Sequence, residues 1–194
     1  MIFTETPLAG AWILDIEPIG DDRGFFARWY CTNELTDHGL VPLSAQGNLS
    51  VNKHVGTLRG MHMQLPPHCE IKLVRCVRGA VHDVIVDTRR GSPTRWQSFG
   101  VELSADNRRA LYIPAGFAHG YQTLTPDAEV MYQVSEFYAP GHEVGLRYDD
   151  PDLGLEWPVA VESVSPKDAS WPLLADIDTE AFGSERNDHH RQSS

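Results

Sequence analysis

Short runs of β-forming residues, separated by glycine and proline, most constrain the fold of this chain. The 194 residues include 16 glycines and 13 prolines, and the runs between them are rich in β-branched and aromatic side chains. Long helical periodicity is almost absent. This pattern is typical of an all-β sandwich or barrel. Strands are predicted over residues 71–77, 81–86, 95–101, 110–113 and 130–138.

Length and composition fit one folded domain. A chain of this size buries a sizeable core, and a hydrophobic content of 41% excludes a disordered composition. We expect the domain to span residues 1–182. The polar segment 183–194 is predicted to be a disordered tail.

Charge and cysteine content limit the partners and the compartment. The net charge of −11 argues against nucleic acid as a partner. No apolar run has the length of a membrane span, and no secretory signal is visible. Three cysteines, Cys31, Cys69 and Cys76, give an odd count without C-x-x-C spacing. The sequence therefore predicts a protein of the reducing cytoplasm, with Cys76 as a core residue.

Residues 58–64, Leu-Arg-Gly-Met-His-Met-Gln, place polar groups on a predicted strand. Strict alternation puts Arg59 and His62 on opposite faces, unless Gly60 marks a bulge. Lys72 lies on a second apolar run. A strand histidine is more often structural than catalytic, and a lysine at a strand end can extend to solvent. Because unpaired polar groups on strands are costly, these residues also fit one wall of a pocket inside a barrel.

Two further groups of polar side chains share strand faces. Gln46, Asn48 and Ser50 alternate along one predicted strand, where they are either exposed or line a wet pocket. Tyr132 and Tyr138 are predicted to share a strand face, either as a core pair or as an acid and a stacking platform.

Residues 1–45 are predicted to form an N-terminal arm. A strand over residues 11–19, a turn at 20–22 and a short helix over 34–38 are expected. Arg23, Gly24, Phe25 and Phe26 put a cation beside two aromatic rings. This segment is either a loop that buries its phenylalanines or a basic, stacking edge for a nucleotide.

Taken in order between residues 3 and 174, the motifs resemble the dTDP-4-dehydrorhamnose 3,5-epimerase family, a group of cofactor-free cupins. Each motif is weak evidence alone, whereas the ordered series is strong. The matching pieces are Arg23-Gly-Phe-Phe, Gln46-x-Asn48-x-Ser50, Leu58-Arg-Gly-x-His62-x-Gln64, Lys72-Leu-Val-Arg, Asp83-Val-x-Val-Asp87, Ser92-Pro-Thr94, Ile113-Pro-x-Gly-Phe-Ala-His-Gly120, Tyr132, Tyr138, Asp149-Asp-Pro151, Trp157-Pro158 and Lys167-Asp168.

The resemblance implies a fold, a partner and a substrate. The expected fold is a cupin jelly-roll barrel with short helices at the C-terminus. The expected assembly is a homodimer with exchanged N-terminal strands. The expected substrate class is a nucleoside diphosphate 4-keto-6-deoxy sugar, with dTDP as the expected nucleotide. The family needs no metal or redox cofactor.

The resemblance also implies roles for individual residues. His62 is the expected general base with Asp168 as its orienting partner, Lys72 stabilises an enolate, and Tyr132 is the general acid on the opposite face. The expected substrate-binding residues are Arg23, Phe26, Arg28, Gln46, Asn48, Arg59, His119, Tyr138, Glu143 and Lys167, with Arg23 and Arg59 on the diphosphate and Tyr138 stacked on the base.

The chain departs from the family pattern at four positions. Arg28 stands where glutamate is usual, Asn52 where serine is common, Met63 where tyrosine is common, and His82 where an aromatic or aliphatic residue is usual. None of them is one of the four residues with an expected catalytic role. Arg28 predicts either a changed preference among nucleotides or sugars, or a harmless change on the surface.

Three other functions stay open at this point. A relative that inverts C3 or C5 alone would carry the same residues. A metal-dependent cupin could use His62, His68, Glu70 and His119, although the usual pair of histidines one residue apart is missing. A non-catalytic sugar-binding cupin would not require the base and acid, which are both present.

Overall fold

The structure is a computed structural model that describes residues 1–179, and it consists of two packed antiparallel sheets. The first sheet contains, in spatial order, β1 (Ile2–Glu5), β2 (Trp12–Asp15), β10 (Ala110–Ile113), β7 (Lys72–Arg78), β12 (Ala128–Val134) and β5 (Gln46–Asn52). The second contains β13 (Glu143–Gly145), β6 (Thr57–Gln64), β11 (Phe117–Thr123), β8 (Ala80–Asp87) and β9 (Ser98–Ser104), with β14 (Ser163–Val164) parallel to β6.

The remaining elements are small. β3 (Ile19–Asp21) and β4 (Gly24–Phe26) form a separate hairpin. The helices are α1 (Thr32–Asp37), α2 (Pro166–Ala169) and a 3₁₀ helix (Leu174–Asp176). Between β5 and β12 the chain passes from one sheet to the other at several steps, as in a jelly roll. The prediction of an all-β jelly-roll barrel with short C-terminal helices is confirmed.

The core lies where the inner faces of the two sheets meet. Val74 and Cys76 of β7 pack there with Val130 of β12, against Val81 and Ile85 of β8. All five side chains are buried, because alternate residues of each strand point inward. Cys76 is a core residue, as predicted. None of the helices in residues 1–179 is long and apolar enough to cross a lipid bilayer.

Three predicted strands differ from the observed ones for local reasons. The expected strand at 11–19 is interrupted before β3, because Pro18 cannot donate a backbone hydrogen bond. This also moves the turn from residues 20–22 to Asp22 and Arg23, between β3 and β4. The strand at 95–101 begins only at Ser98, since Trp96 has a φ of 65° within a turn.

The strand predicted over 130–138 ends at Val134, so Tyr138 does not share a strand face with Tyr132. Instead, the side chain of Gln64 forms hydrogen bonds to the backbone of the loop that follows β12. It donates to the Phe137 carbonyl at 3.2 Å and accepts from the Ala139 amide at 2.7 Å. The predicted disordered tail at 183–194 lies outside the described residues.

Candidate active site

A polar cavity opens between the two sheets. It has a volume of about 320 Å³ and adjoins a smaller compartment of about 140 Å³. His62, Lys72 and Tyr132 line both compartments. His62 belongs to β6 of the second sheet, whereas Lys72 and Tyr132 belong to β7 and β12 of the first. The cavity therefore brings an imidazole from one sheet opposite an ammonium and a phenol from the other.

The wall from the first sheet is set by strand register. Val134 pairs with both Lys72 and Gln46, and Tyr132 pairs with Asn48. Residues two apart on a strand share a face, so these polar side chains converge on one surface. Gln46, Asn48 and Ser50 all line the cavity compartments. Lys72 is only 6% exposed, so it does not extend to solvent as the structural alternative required.

The wall from the second sheet depends on a bulge at Gly60. His62 pairs with His119 and Arg59 with Tyr121, so the two residues between them on β6 face the single residue Gly120 on β11. Arg59 and His62 thus line the same small compartment, as the bulge hypothesis predicted. Gly60 has a φ of +104°, and a Cβ there would lie 2.5 Å from the His119 carbonyl oxygen. Only glycine fits this position without displacing backbone.

His62 is held in its neutral form. Burial is the main cause that lowers its pKa, to about 4, and the positive charge of Lys72 adds to this. The carboxylates of Glu143 and Asp168 act in the opposite direction. Glu143 Oε1 lies 3.9 Å from His62 Nδ1. A neutral imidazole in a cavity can accept a proton at neutral pH, which a histidine with a satisfied charge partner could not do as readily.

Asp168 supports the strand that carries His62. It is buried on α2, whose N-cap Ser165 accepts the Asp168 backbone N–H at 3.0 Å. Its Oδ2 accepts the Gly60 N–H at 3.2 Å. In the described residues this carboxylate therefore bonds to the β6 backbone at the bulge, and it acts on the His62 pKa through its charge.

Tyr132 and Lys72 are both partly or fully withdrawn from solvent. Burial is the main cause that raises the pKa of Tyr132, so its phenol keeps its proton and can donate it. The Lys72 ammonium lies 3.0 Å from Glu70 Oε1. The sequence does not predict the pairing of Glu70 with Lys72, because Glu70 lies just before β7 begins.

His119 belongs to a second buried pair. Its Nε2 lies 2.9 Å from Asp83 Oδ2, and both residues are buried. The sequence marks Asp83 only as part of a family motif. Its place in the apolar run at residues 81–86 is a further signal, because a buried carboxylate on a strand needs a partner.

The rim of the cavity holds three of the predicted binding residues. Tyr138 and Glu143 line the larger compartment, and Glu143 forms an ion pair with the half-exposed Lys167. At the smaller compartment, Arg59 donates through Nε to Asn52 Oδ1 at 2.7 Å. This bond uses Nε and not the two terminal nitrogens of the guanidinium, and it fixes the orientation of the group.

Four predicted binding residues do not line the cavity of their own chain in the described structure. Lys167 contacts the lining residue Glu143, and the other three belong to the N-terminal arm. Arg23 and Phe26 lie on the β3–β4 hairpin, and their exposed fractions are 89% for the Arg23 side chain and 73% for Phe26. Arg28 pairs with Glu34 at 2.7 Å. The alternative in which this segment buries its phenylalanines is wrong for the described chain, because Phe25 is also 47% exposed.

The residues considered for a metal site are engaged in other contacts. His68 packs edge-on against His142, Glu70 pairs with Lys72, and His119 pairs with Asp83. Within residues 1–179, no group of three histidine, cysteine, aspartate or glutamate side chains is arranged to hold a metal ion.

Comparison with known proteins decides the family. The model of the dTDP-4-dehydrorhamnose 3,5-epimerase family matches residues 5–176. The chain belongs to this family. The dTDP-4-dehydrorhamnose 3,5-epimerase of Sinorhizobium fredii is 42% identical over 183 residues, which cover 91% of each chain.

Two further relatives mark the range of the family. The crystal structure of a 3,5-epimerase from Legionella pneumophila, in complex with dTDP-4-keto-L-rhamnose, has a TM-score of 0.87 at 37% identity and covers 95% of this chain and 98% of that one. The dTDP-4-dehydrorhamnose 3-epimerase of Streptomyces niveus is 39% identical, over 87% of this chain and 82% of its own. Proteins with this degree of similarity to the chain therefore include both 3,5-epimerases and a 3-epimerase.

Proposed function

We propose that this protein inverts both C3 and C5 of a dTDP-linked 4-keto-6-deoxyhexose through enolate intermediates. The observation that carries the proposal is the placement of His62 and Tyr132 on opposite sheets, facing one cavity with Lys72. Inversion of a carbon centre needs a base on one face of the ring and an acid on the other. The named activity of the relatives supports the same reaction.

The proposed chemistry uses the ketone at C4. It acidifies the protons at C3 and C5, and the neutral His62 removes one of them. The electron pair moves onto the C4 oxygen, where the Lys72 ammonium stabilises the enolate; such a donor contributes about 2.7–4 kcal/mol. Tyr132 then returns a proton to the opposite face of the same carbon. Because the ketone accepts the electron pair, the proposed reaction uses no cofactor.

Product analysis tests the proposal against its main alternative. Purified protein is incubated with dTDP-4-keto-6-deoxyglucose, and proton NMR of the products gives the configuration at C3 and C5 from ring coupling constants. Inversion at both centres is expected. Inversion at C3 alone would replace the proposal by the single-centre activity, for which the 3-epimerase relative is the supporting observation. Unchanged substrate would contradict both.

The cavity residues fit a nucleotide diphosphate as well as the sugar. We assign diphosphate binding to Arg59, whose anchored guanidinium can form charge-assisted bonds to phosphate oxygens. We assign Tyr138, which lines the larger compartment, to stack on the base. The further contacts are assigned to Gln46, Asn48, His119, Glu143 and Lys167.

The N-terminal arm is assigned to a partner subunit. Arg23 and Phe26 lie on a hairpin that is not hydrogen-bonded to either sheet of its own barrel. Two exposed aromatic rings beside a cation are costly in water, and they suit a nucleotide held in another subunit's cavity. We therefore propose a homodimer with exchanged N-terminal strands, in which Arg23, Phe26 and Arg28 reach the neighbouring nucleotide.

A complementation experiment tests the exchange. The Arg23→Ala and His62→Ala variants should each be poorly active alone. In a hybrid dimer, the barrel with an intact His62 receives the intact Arg23 from its partner. Co-expression should therefore restore about a quarter of the wild-type activity, since random pairing makes half of the dimers hybrids with one intact site. Activity no higher than the sum of the parents would place Arg23 on its own barrel.

The lowered pKa of His62 predicts that kcat/KM is maintained to an unusually low pH, the acid limit of the reaction. As a base His62 must be neutral, so kcat/KM of the free enzyme should fall only as the pH drops through about 4. An ordinary histidine would give this fall near pH 6.5. The measurement is kcat/KM from pH 3 to 8, with circular dichroism at each pH to verify folding. A midpoint between 6 and 7 would contradict the buried, neutral base.

We assign residues 1–182 to a single epimerase domain, and we place the reaction in the cytoplasm, where nucleotide sugars are substrates of biosynthesis.

A further inference from the structure

Glu70 is a carboxylate in the catalytic cavity to which the proposed reaction gives no role. It precedes β7 by two residues, and its side chain is 13% exposed. Its Oε1 lies 3.0 Å from the Lys72 ammonium. Its Oε2 lies 3.4 Å from the side-chain nitrogen of Gln64, which is itself buried and bonded to the His68 and Phe137 carbonyls. Glu70 is therefore fixed at one side while it pairs with Lys72 at the other.

We propose that Glu70 is a positioning residue that holds the Lys72 ammonium in the cavity and keeps it charged. Glu70 thereby sets the alkaline limit of the reaction, which is the pH above which kcat/KM falls. This inference rests on the proposed epimerase activity, in which Lys72 stabilises the enolate. A neutral amine at this position would have no charge to offer the developing oxyanion.

The charges around Lys72 show why a counter-charge is needed. Burial favours the neutral form of an amine, and a nearby cation adds to that effect. Lys72 is nearly fully buried. The ionisable groups that line the two compartments with it are Arg59, His62, Glu70, His119, Tyr121, Tyr132, Tyr138 and Glu143.

The carboxylates near the cavity are divided among different partners. Asp83 pairs with His119, Asp168 accepts from the Gly60 amide, and Glu143 pairs with Lys167. Glu70 is the carboxylate that the described structure pairs directly with Lys72. A carboxylate at this distance offsets the cost of burying the ammonium, because both groups are shielded from water.

Glu70 acts on the acid in the same direction. After burial and Tyr121, the charge of Glu70 is the next cause that raises the pKa of Tyr132. Lys72 and Tyr132 must both carry a proton for the reaction as proposed. Removal of the Glu70 charge should make both groups lose their protons at lower pH, so the two effects add rather than cancel.

The test compares Glu70→Gln with wild type. This variant keeps the size of the side chain and its ability to bond to Gln64. The alkaline fall of kcat/KM should move to lower pH by about one unit or more, while the acid limit stays in place. In the substrate-free protein, NMR of ¹³C-methylated lysines should show Lys72 losing its proton at correspondingly lower pH, with Lys72→Arg used to assign the signal.

Two further variants complete the design. Glu129→Gln removes a carboxylate from the Glu129–Arg78 surface pair and should leave both readouts unchanged. Glu70→Asp keeps the charge and should retain most of the wild-type alkaline limit, which also serves if Glu70→Gln folds poorly. The proposal requires that both the activity limit and the Lys72 titration move in Glu70→Gln. If either stays within 0.3 pH unit of wild type, roughly a twofold change in proton affinity, Glu70 is only a structural ion-pair partner.

The substrate-free titration separates this inference from the proposed function. Inactive wild-type protein would contradict the epimerase proposal, and the NMR readout would still show whether Glu70 holds the charge of Lys72. Active wild-type protein with an unmoved Lys72 signal would overturn the role of Glu70 alone.

Discussion

Replacement of His62 by alanine should lower kcat by about 10²–10⁴-fold, the usual contribution of a positioned general base. His62 is the neutral imidazole that faces Tyr132 across the cavity, and its pKa is lowered to about 4 by burial and by Lys72. The variant should also lose deuterium exchange at C3 and C5, because the first step at each centre is deprotonation. Its affinity for dTDP should stay within a few-fold, since the nucleotide is assigned to other residues.

The matched control for this prediction is His54→Ala. His54 is exposed in the loop between β5 and β6, and its side chain does not line either compartment. Steady-state kinetics and proton NMR in D₂O measure turnover and exchange for both variants. Exchange at the wild-type rate in His62→Ala would assign the base to another residue.

Replacement of Gly60 by alanine should reduce both stability and activity. Gly60 has a φ of +104°, which costs a residue with a side chain about 1–3 kcal/mol. The new Cβ would also lie 2.5 Å from the His119 carbonyl oxygen and 2.7 Å from the Gly120 Cα, so backbone must move. Arg59 and His62 flank this bulge, and a displacement of about 1 Å can cost about 10²-fold in rate.

Gly47→Ala provides the control for Gly60→Ala. Gly47 also lies in a strand, β5, but it has no positive φ, and a Cβ added there would meet only open space. Thermal unfolding and kcat/KM should be near wild type in Gly47→Ala and strongly reduced in Gly60→Ala. If the two variants behave alike, the bulge is not required to assemble the site.

The fold could be predicted from sequence to a useful extent because the strands are short and clearly bounded. The prediction for residues 110–113 matches β10, and those for β7 and β8 are within one or two residues of the observed ends. The same reasoning failed at β12, where β-forming residues continue to Tyr138. There the side chain of Gln64, from a distant strand, takes the backbone bonds of the loop. Local β-propensity gives no information about such a long-range contact.

The site was predictable where a residue broke a strong pattern. Lys72 and His62 stood out as polar groups on apolar strands, and Gly60 was a reason to expect a bulge. The placement of Asp168 beneath Gly60 could not be derived from the spacing of the two residues, because 108 positions separate them. The Glu70–Lys72 pair was missed for a different reason. Glu70 lies just outside the strand, where alternation no longer indicates the direction of a side chain.

Arg28 shows the limit of reasoning from a family departure. Its cation pairs with Glu34, which also binds the amino group of Met1 at 2.7 Å. The described chain therefore gives Arg28 a carboxylate partner on its own arm. This contact accounts for a cation at this position on structural grounds, and its role in substrate preference stays a prediction.

The Tyr132→Phe variant in D₂O shows whether proton removal and proton return occur on opposite faces of the sugar, as the proposed mechanism requires. Proton NMR measures deuterium exchange and inversion separately at C3 and C5. If His62 is the base and Tyr132 the acid, the variant should still exchange at least one of these protons while inversion falls by about 10²-fold or more. Equal loss of exchange and inversion, or inversion at the wild-type rate, would contradict the two-sided mechanism.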